Sequence, residues 1–257
     1  YDRTALSGLD GALQVQLNSH QLHLQVSELR LQEVNPGMPL GPLSLSGSYQ
    51  APLAQLGQGR LQLGESHSAL MGGQVQIAAG QWDLAAGELL LPLKVQGLEL
   101  EQLFILYPTE GLAGSGTLDG LLPLRIDAAG VTIHQGQLAA RQPGGQLQFH
   151  SERIRALGRS NPAMQLVTQS LEDFRYGALS SQVNYDQQGK LQLDIRLQGQ
   201  NPAIEGGRPI HFNIKLEEDI PSLLASLQLT DKVSEIIQQR VQQRMLQRKA
   251  KPAPQEP

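Results

Sequence analysis

Cysteine is missing from this chain of 257 residues. Disulfides, zinc–thiolate sites and thiol nucleophiles are therefore excluded together. The compartment stays open, because a cysteine-free chain suits a reducing and an oxidising environment alike. Aromatic residues make up only 4% of the chain although 40% of it is hydrophobic. A compact enzyme core of this size draws on large rings to fill volume. Here Leu, Val, Ile and Ala carry the apolar share, which suits a surface that stays open. Charge is sparse at 17%, with a net charge of -4, and Gln occupies many polar positions. No basic field exists to hold nucleic acid. No apolar run reaches the roughly 18 residues of a membrane-spanning helix. No secretory leader is expected in it, and Tyr1 stands inside a pattern already under way, as expected of a piece of a longer protein.

What the chain does have is alternation. Leu13, Val15 and Leu17 alternate with Gln14, Gln16 and Asn18. The same phrase recurs at Leu22, Leu24 and Val26, at Leu61 and Leu63, and at Val75 and Ile77. Leu89, Leu91, Leu93 and Val95 form a longer run, and Leu122, Leu124 and Ile126 another. Leu191, Leu193, Ile195 and Leu197 come next, and Ile210, Phe212, Ile214 and Leu216 close the series. Successive side chains of a strand point to opposite faces, so each segment has one apolar and one polar face. Gln192, Asp194, Arg196 and Gln198 show the polar face of one such strand. Glycine pairs and Gly-Pro steps such as Gly41-Pro42, Gly72-Gly73 and Gly144-Gly145 read as turns.

The fold class is all-β with a few short helices. Leu100, Leu103, Phe104 and Tyr107 fall at helical spacing before Pro108, giving a helix near 98–107. Asn161-Pro162 starts a second, near 162–173. Residues 1–229 read as one continuous β segment. Residues 230–248 read as a C-terminal amphipathic helix, with Val233, Ile236, Ile237, Val241 and Met245 on one face, and 249–257 as a disordered tail. Pro92 cannot donate a ladder bond, which places its strand at an edge or a bulge.

About fifteen one-sided strands need a partner for their apolar faces, and few helices are available to cover them. A sandwich, a closed barrel or solenoid, and a long open trough all solve this problem. A trough of about fifteen strands at ~4.8 Å each would be about 70 Å long. Such an exposed apolar face calls for a ligand, and acyl chains fit because they need contact without directional bonds. The apolar residues of these alternating runs, from Leu13 to Leu216, are the candidate lipid-binding set. No catalytic, metal or cofactor site is expected. The six histidines are scattered, and the closest pair, His20 and His23, falls on opposite faces of a strand. Glu217, Glu218 and Asp219 precede Pro221 and read as helix-start charges. A structural scaffold or adhesin, closed and dry inside, and a solenoid enzyme of the carbohydrate-lyase type are the competing readings.

Three phrases carry a resemblance. They are LQGQNPAIEGGRPIHFNIKLEEDIPSLLASLQLTD at 197–231, GLAGSGTLDGLLPLRIDAAGVTIHQGQLAARQPGGQLQF at 111–149, and LEDFRYGALSSQVNYDQQGKLQLDIRLQG at 171–199. Together they resemble the C-terminal periplasmic region of YdbH-type members of the AsmA-like family, over residues 95–245. The first ninety residues share only the Gln/Leu style. The resemblance implies a Gram-negative periplasmic bridge with an inner-membrane anchor outside this chain. It implies an open, curled antiparallel β-groove that carries phospholipid toward the outer membrane and performs no chemistry. It also implies a small outer-membrane lipoprotein that adds strands at the C-terminal β edge, near Leu191–Leu197 or Ile210–Leu216, and a second small periplasmic protein.

Overall fold

The computed structural model describes residues 5–35, 40–108, 110–150, 152, 155–156, 162–204 and 206–223. The helix expected at 230–248 and the tail at 249–257 lie outside the described residues. Two short strands, β1 (Ala5–Ser7) and β4 (Glu33–Asn35), pair with each other. All other strands among the described residues join one antiparallel sheet of fifteen.

The sheet is a meander. β2 (Asp10–Leu17), β3 (Gln21–Leu31) and β5 (Leu43–Pro52) pair in sequence. The next row is broken into β6 (Arg60–Leu63) and β7 (Ser66–Leu70), and the one after it into β8 (Gly73–Ile77) and β9 (Gly80–Asp83). A 3-10 turn (Leu84–Ala86) leads into β10 (Glu88–Glu99). Two more broken rows come after it, β11 (Leu112–Ser115) with β12 (Thr117–Asp127), and β13 (Gly130–Ala140) with β14 (Gly145–Phe149). β15 (Phe174–Tyr185), β16 (Lys190–Gln200) and β17 (Ile210–Asp219) complete the sheet. Each inner row pairs with the row before it and the row after it. Four broken rows reduce the fifteen strands to eleven rows, so at ~4.8 Å per row the sheet is about 50 Å long, not about 70 Å.

The sheet does not close on itself: among the described residues β2 and β17 each pair on one side only. This excludes the barrel, and a single layer excludes the sandwich. Curvature comes from bulges and missing side chains. Register shifts fall in β3, β10, β12, β13 and β15, each an irregularity that bends its strand. In β10 the extra step is Gly97, at φ 71°, whose N–H donates to Asp119 Oδ1 at 2.8 Å. Arg141 holds the same carboxylate through two bonds, at 2.9 and 2.6 Å.

Two helices close one end. α1 (Leu100–Leu106) lays Phe104 over Gly114, where an added Cβ would stand 2.7 Å from the ring. α2 (Pro162–Leu171) is tied down by Asn201, whose Nδ2 donates to Gln169 O at 2.9 Å. Beneath them lies the buried cluster of Val95, Leu98, Leu100, Leu118, Phe174, Tyr176, Leu179 and Leu197. Tyr176 reaches across to β11, its hydroxyl donating to Ser115 O at 2.8 Å.

β10 lies inside the sheet, not at an edge. Pro92 stands opposite Pro123 on β12. Neither can donate, so the two form a non-hydrogen-bonded pair and turn their missing donors away from each other. Pro123 then faces β13 at the bulge between Leu121 and Leu124. Pro92 faces the β8–β9 row where its ladder with β10 has just stopped, at Leu93↔Ile77. The chain keeps proline inside a sheet by ending the ladder there.

The acidic run divides. Glu217, Glu218 and Asp219 all end β17, and Lys190 meets Glu217 at 3.2 Å. Only Asp219 serves a helix start, accepting from Ser222 N at 2.9 Å.

Candidate functional site

Residues directly opposite in an antiparallel pair share a face. The ladder therefore shows where every candidate residue points. Leu13, Val15 and Leu17 face Val26, Leu24 and Leu22. Those in turn align with Gly47, Tyr49 and Ala51 on β5, then with Leu63 and Leu61 on β6. Ile77 and Val75 face Leu93 and Val95. Leu89, Leu91 and Leu93 face Ile126, Leu124 and Leu122. Leu193, Ile195 and Leu197 face Leu216, Ile214 and Phe212, with Gly199 opposite Ile210 and Leu191 opposite Glu218. All of the candidates thus lie on one face of one sheet.

Their exposure differs along that face. Leu91, Val95 and Leu197 are buried beneath neighbours. Leu13 at 58%, Val15 at 52%, Leu17 at 66% and Leu216 at 43% stand open at the two edges. Outside the buried cluster beneath the helices most of the remainder are half-buried, with same-face neighbours at their sides, and this face forms a floor. Glycines keep it low. At Gly136 an added Cβ would stand 2.8 Å from Leu122 Cδ2 and 3.3 Å from Val183 Cβ.

Several residues of the floor are missing from the candidate set: Leu29, Leu31, Tyr49, Trp82, Leu118, Leu138, Leu179 and Val183. Bulges in β3 and β15 disturb the strict alternation around Leu29 and Leu179, which hides them from a period of two. Trp82 sits opposite Leu61, so it too belongs to the floor. Its indole N–H donates to Leu90 O at 2.7 Å.

Polar groups on the floor are few and satisfied. Ser66 and Ser68 are buried there and bond to carbonyls of their own strand region. The opposite face carries the Gln ladders and ion pairs, such as Gln74–Gln96 at 3.1 Å and Arg125–Glu88 at 2.9 Å. Burial pushes the Tyr176 phenol up to about 12, since its ring and hydroxyl sit inside the end cluster. Among the described residues no group of His, Cys, Asp and Glu is placed to hold a metal ion, and no helix is long and apolar enough to cross a membrane.

The chain is thus a single open antiparallel sheet with one mostly apolar face and one polar face. A family model described as YdbH-like, intermembrane phospholipid transport protein YdbH, matches residues 1–242. The chain belongs to this family of periplasmic, envelope lipid transport proteins, which is not an enzyme family. The match includes the first ninety residues, whose own phrases resemble the family only in style. No curated protein and no solved structure matches this chain.

Proposed function

We propose that the apolar floor carries phospholipid acyl chains between the inner and outer membranes, while the headgroups stay in water on the open side. The observation that supports this most is the register. From β2 to β17 the candidate residues lie on one face of the sheet, which is mostly apolar, and Leu13, Val15 and Leu17 at one end and Leu216 at the other are its most exposed candidates. Hydrocarbon gains about 25 cal/mol for each Å² it removes from water, wherever along such a face it lies. A face that is mostly apolar, with its few serines bonded to backbone carbonyls, offers no deep well, so chains can slide.

β17 is the docking edge in this reading. Its outer backbone groups have no partner strand among the described residues. Strand addition by a small outer-membrane lipoprotein would extend the floor by the same geometry as the meander itself. A second small periplasmic protein acts with the pair, and an inner-membrane anchor outside this chain holds the other end.

The test is photo-crosslinking in cells, with the probe at Leu193 on the floor, at Gln192 on the opposite face, and at Leu24 and Leu124 further along. Phospholipid adducts at the three floor positions but not at Gln192 are expected. Absence of adducts at all three floor positions would return the sheet to a purely structural role.

A further inference from the structure

The ladder between the β8–β9 row and β10 joins only Gln74–Ile77 to Leu93–Gln96. Among the described residues, no backbone ladder continues from β9 to Glu88–Pro92. One side chain spans the splay: Trp82, through its bond to Leu90 O. Pro92, with no N–H, faces the gap and keeps the ladder from closing it. The other side of the wall is apolar too. Leu90, at 54% exposure, and Leu121, at 51%, point to the polar face and stand out in the open. The register sets the Pro92–Pro123 pair between them, with Lys94 opposite Leu121 and Arg125 opposite Leu90. The seam is thus apolar on both sides, lined within by Trp82 and without by a Leu and Pro patch, with Lys94 at one end and at the other Arg125 in ion pairs with Glu88 at 2.9 Å and Asp127 at 3.5 Å.

We infer that this seam is a side port through which a phospholipid passes an acyl chain from the polar face of the sheet onto the floor, its phosphate drawn to Lys94 and the Trp82 indole acting as the latch. Apolar side chains on both sides of a broken ladder give a hydrocarbon chain contact without directional bonds. The port rests on the reading of the floor as a lipid path, and the occupant is given by continuity with that floor and by the Lys94 cation beside the patch.

The test uses the full protein in cells, with photo-crosslinking probes at Leu90, Leu193, Gln192 and Ile105. Ile105 is exposed and apolar but lies on α1, away from the seam. Phospholipid adducts at Leu90 and Leu193, and none at Gln192 or Ile105, are expected. Adducts at Leu193 without Leu90 overturn the port and leave the floor reading intact. Adducts at Leu90 and Ile105 alike show indiscriminate membrane contact and also overturn it. None at Leu90 and none at Leu193 overturn both. Pro92→Val restores a donor facing Ala78 and should lower the Leu90 adduct several-fold while the Leu193 adduct stays. An unchanged Leu90 adduct in that variant counts against a gated seam.

Discussion

The Phe174 ring meets the Phe212 ring edge-on, with centroids 5.0 Å apart and planes at 66°. The strands that carry them, β15 and β17, are separated by β16. Two row spacings of a flat sheet would hold them about 10 Å apart. The contact therefore reports how tightly the sheet curls at this end, over Gly199 and Leu197.

Removing that contact should loosen the curl. Phe174 has no exposed surface, and Phe174→Ala is expected to cost about 3–5 kcal/mol. Urea denaturation monitored by circular dichroism measures it. Hydrogen exchange should show β17 losing protection before β10 does. Phe212→Ala, at a half-buried position, should cost less; the reverse order would mean that the pair does not organise this end.

Filling the floor is a second test. Gly136→Leu places a side chain among Leu122, Ile133 and Val183. Overpacking of about 1–3 kcal/mol is expected, with lipid adducts at Leu193 reduced because the floor is raised. Full stability together with full crosslinking would show that the space above Gly136 is not used.

The Tyr176 phenol supplies a pH signature. Its folded value of about 12 lies above the ordinary tyrosine value, through desolvation. The neutral phenol is thus favoured by folding. Its contribution is complete below the ordinary value of about 10 and is lost as pH rises through the folded one. A near-ultraviolet titration should find a late component, to which Tyr107 and Tyr185, also raised by burial, contribute beside Tyr176, and Tyr176→Phe should reduce it at its high-pH end. The same variant also deletes the bond to Ser115 O, at a cost of about 1 kcal/mol.

Asp119 gives the opposite sign. The Arg141 guanidinium, and after it the Gly97 N–H, hold its carboxyl below the usual range. The stabilisation is present above the ordinary carboxylate value and lost as pH falls through the lowered one. Asp119→Asn should speed exchange of the Gly97 amide while changing global stability little, since Asp119 and Arg141 are both largely exposed.

A polar insertion tests the floor itself. Leu193→Asp sets a carboxylate in the middle of the half-buried β16 row. A half-buried place lets it reach water, so the fold should survive by circular dichroism. Lipid adducts at Leu124 should fall, because a charge stands on the path.

The alternation of Leu and Gln made the strands, the two faces and nearly the whole floor legible, because one buried face forces a period of two. It could not reveal where rows break. Gly64-Glu65 and Ala78-Ala79 interrupt two rows without any proline, so counting segments overstated the length. Pro92 did signal a local ladder failure, but the failure is on one flank of an interior strand, which a single strand's sequence cannot distinguish from an edge. Trp82 carried no period at all. Its role depends on the distance to Leu90 across a splay that only the three-dimensional register creates.

The strictly sequential order of the rows has a consequence for how the protein is made. Each row pairs with its chain neighbours alone, so most pairings close short loops. A chain emerging from a translocation pore can add one row at a time onto a finished template. No early segment waits for a late one, and new rows always join at the same growing edge. Assembly of the floor then resembles knitting, in which a slipped stitch spoils the later rows and leaves the earlier ones intact.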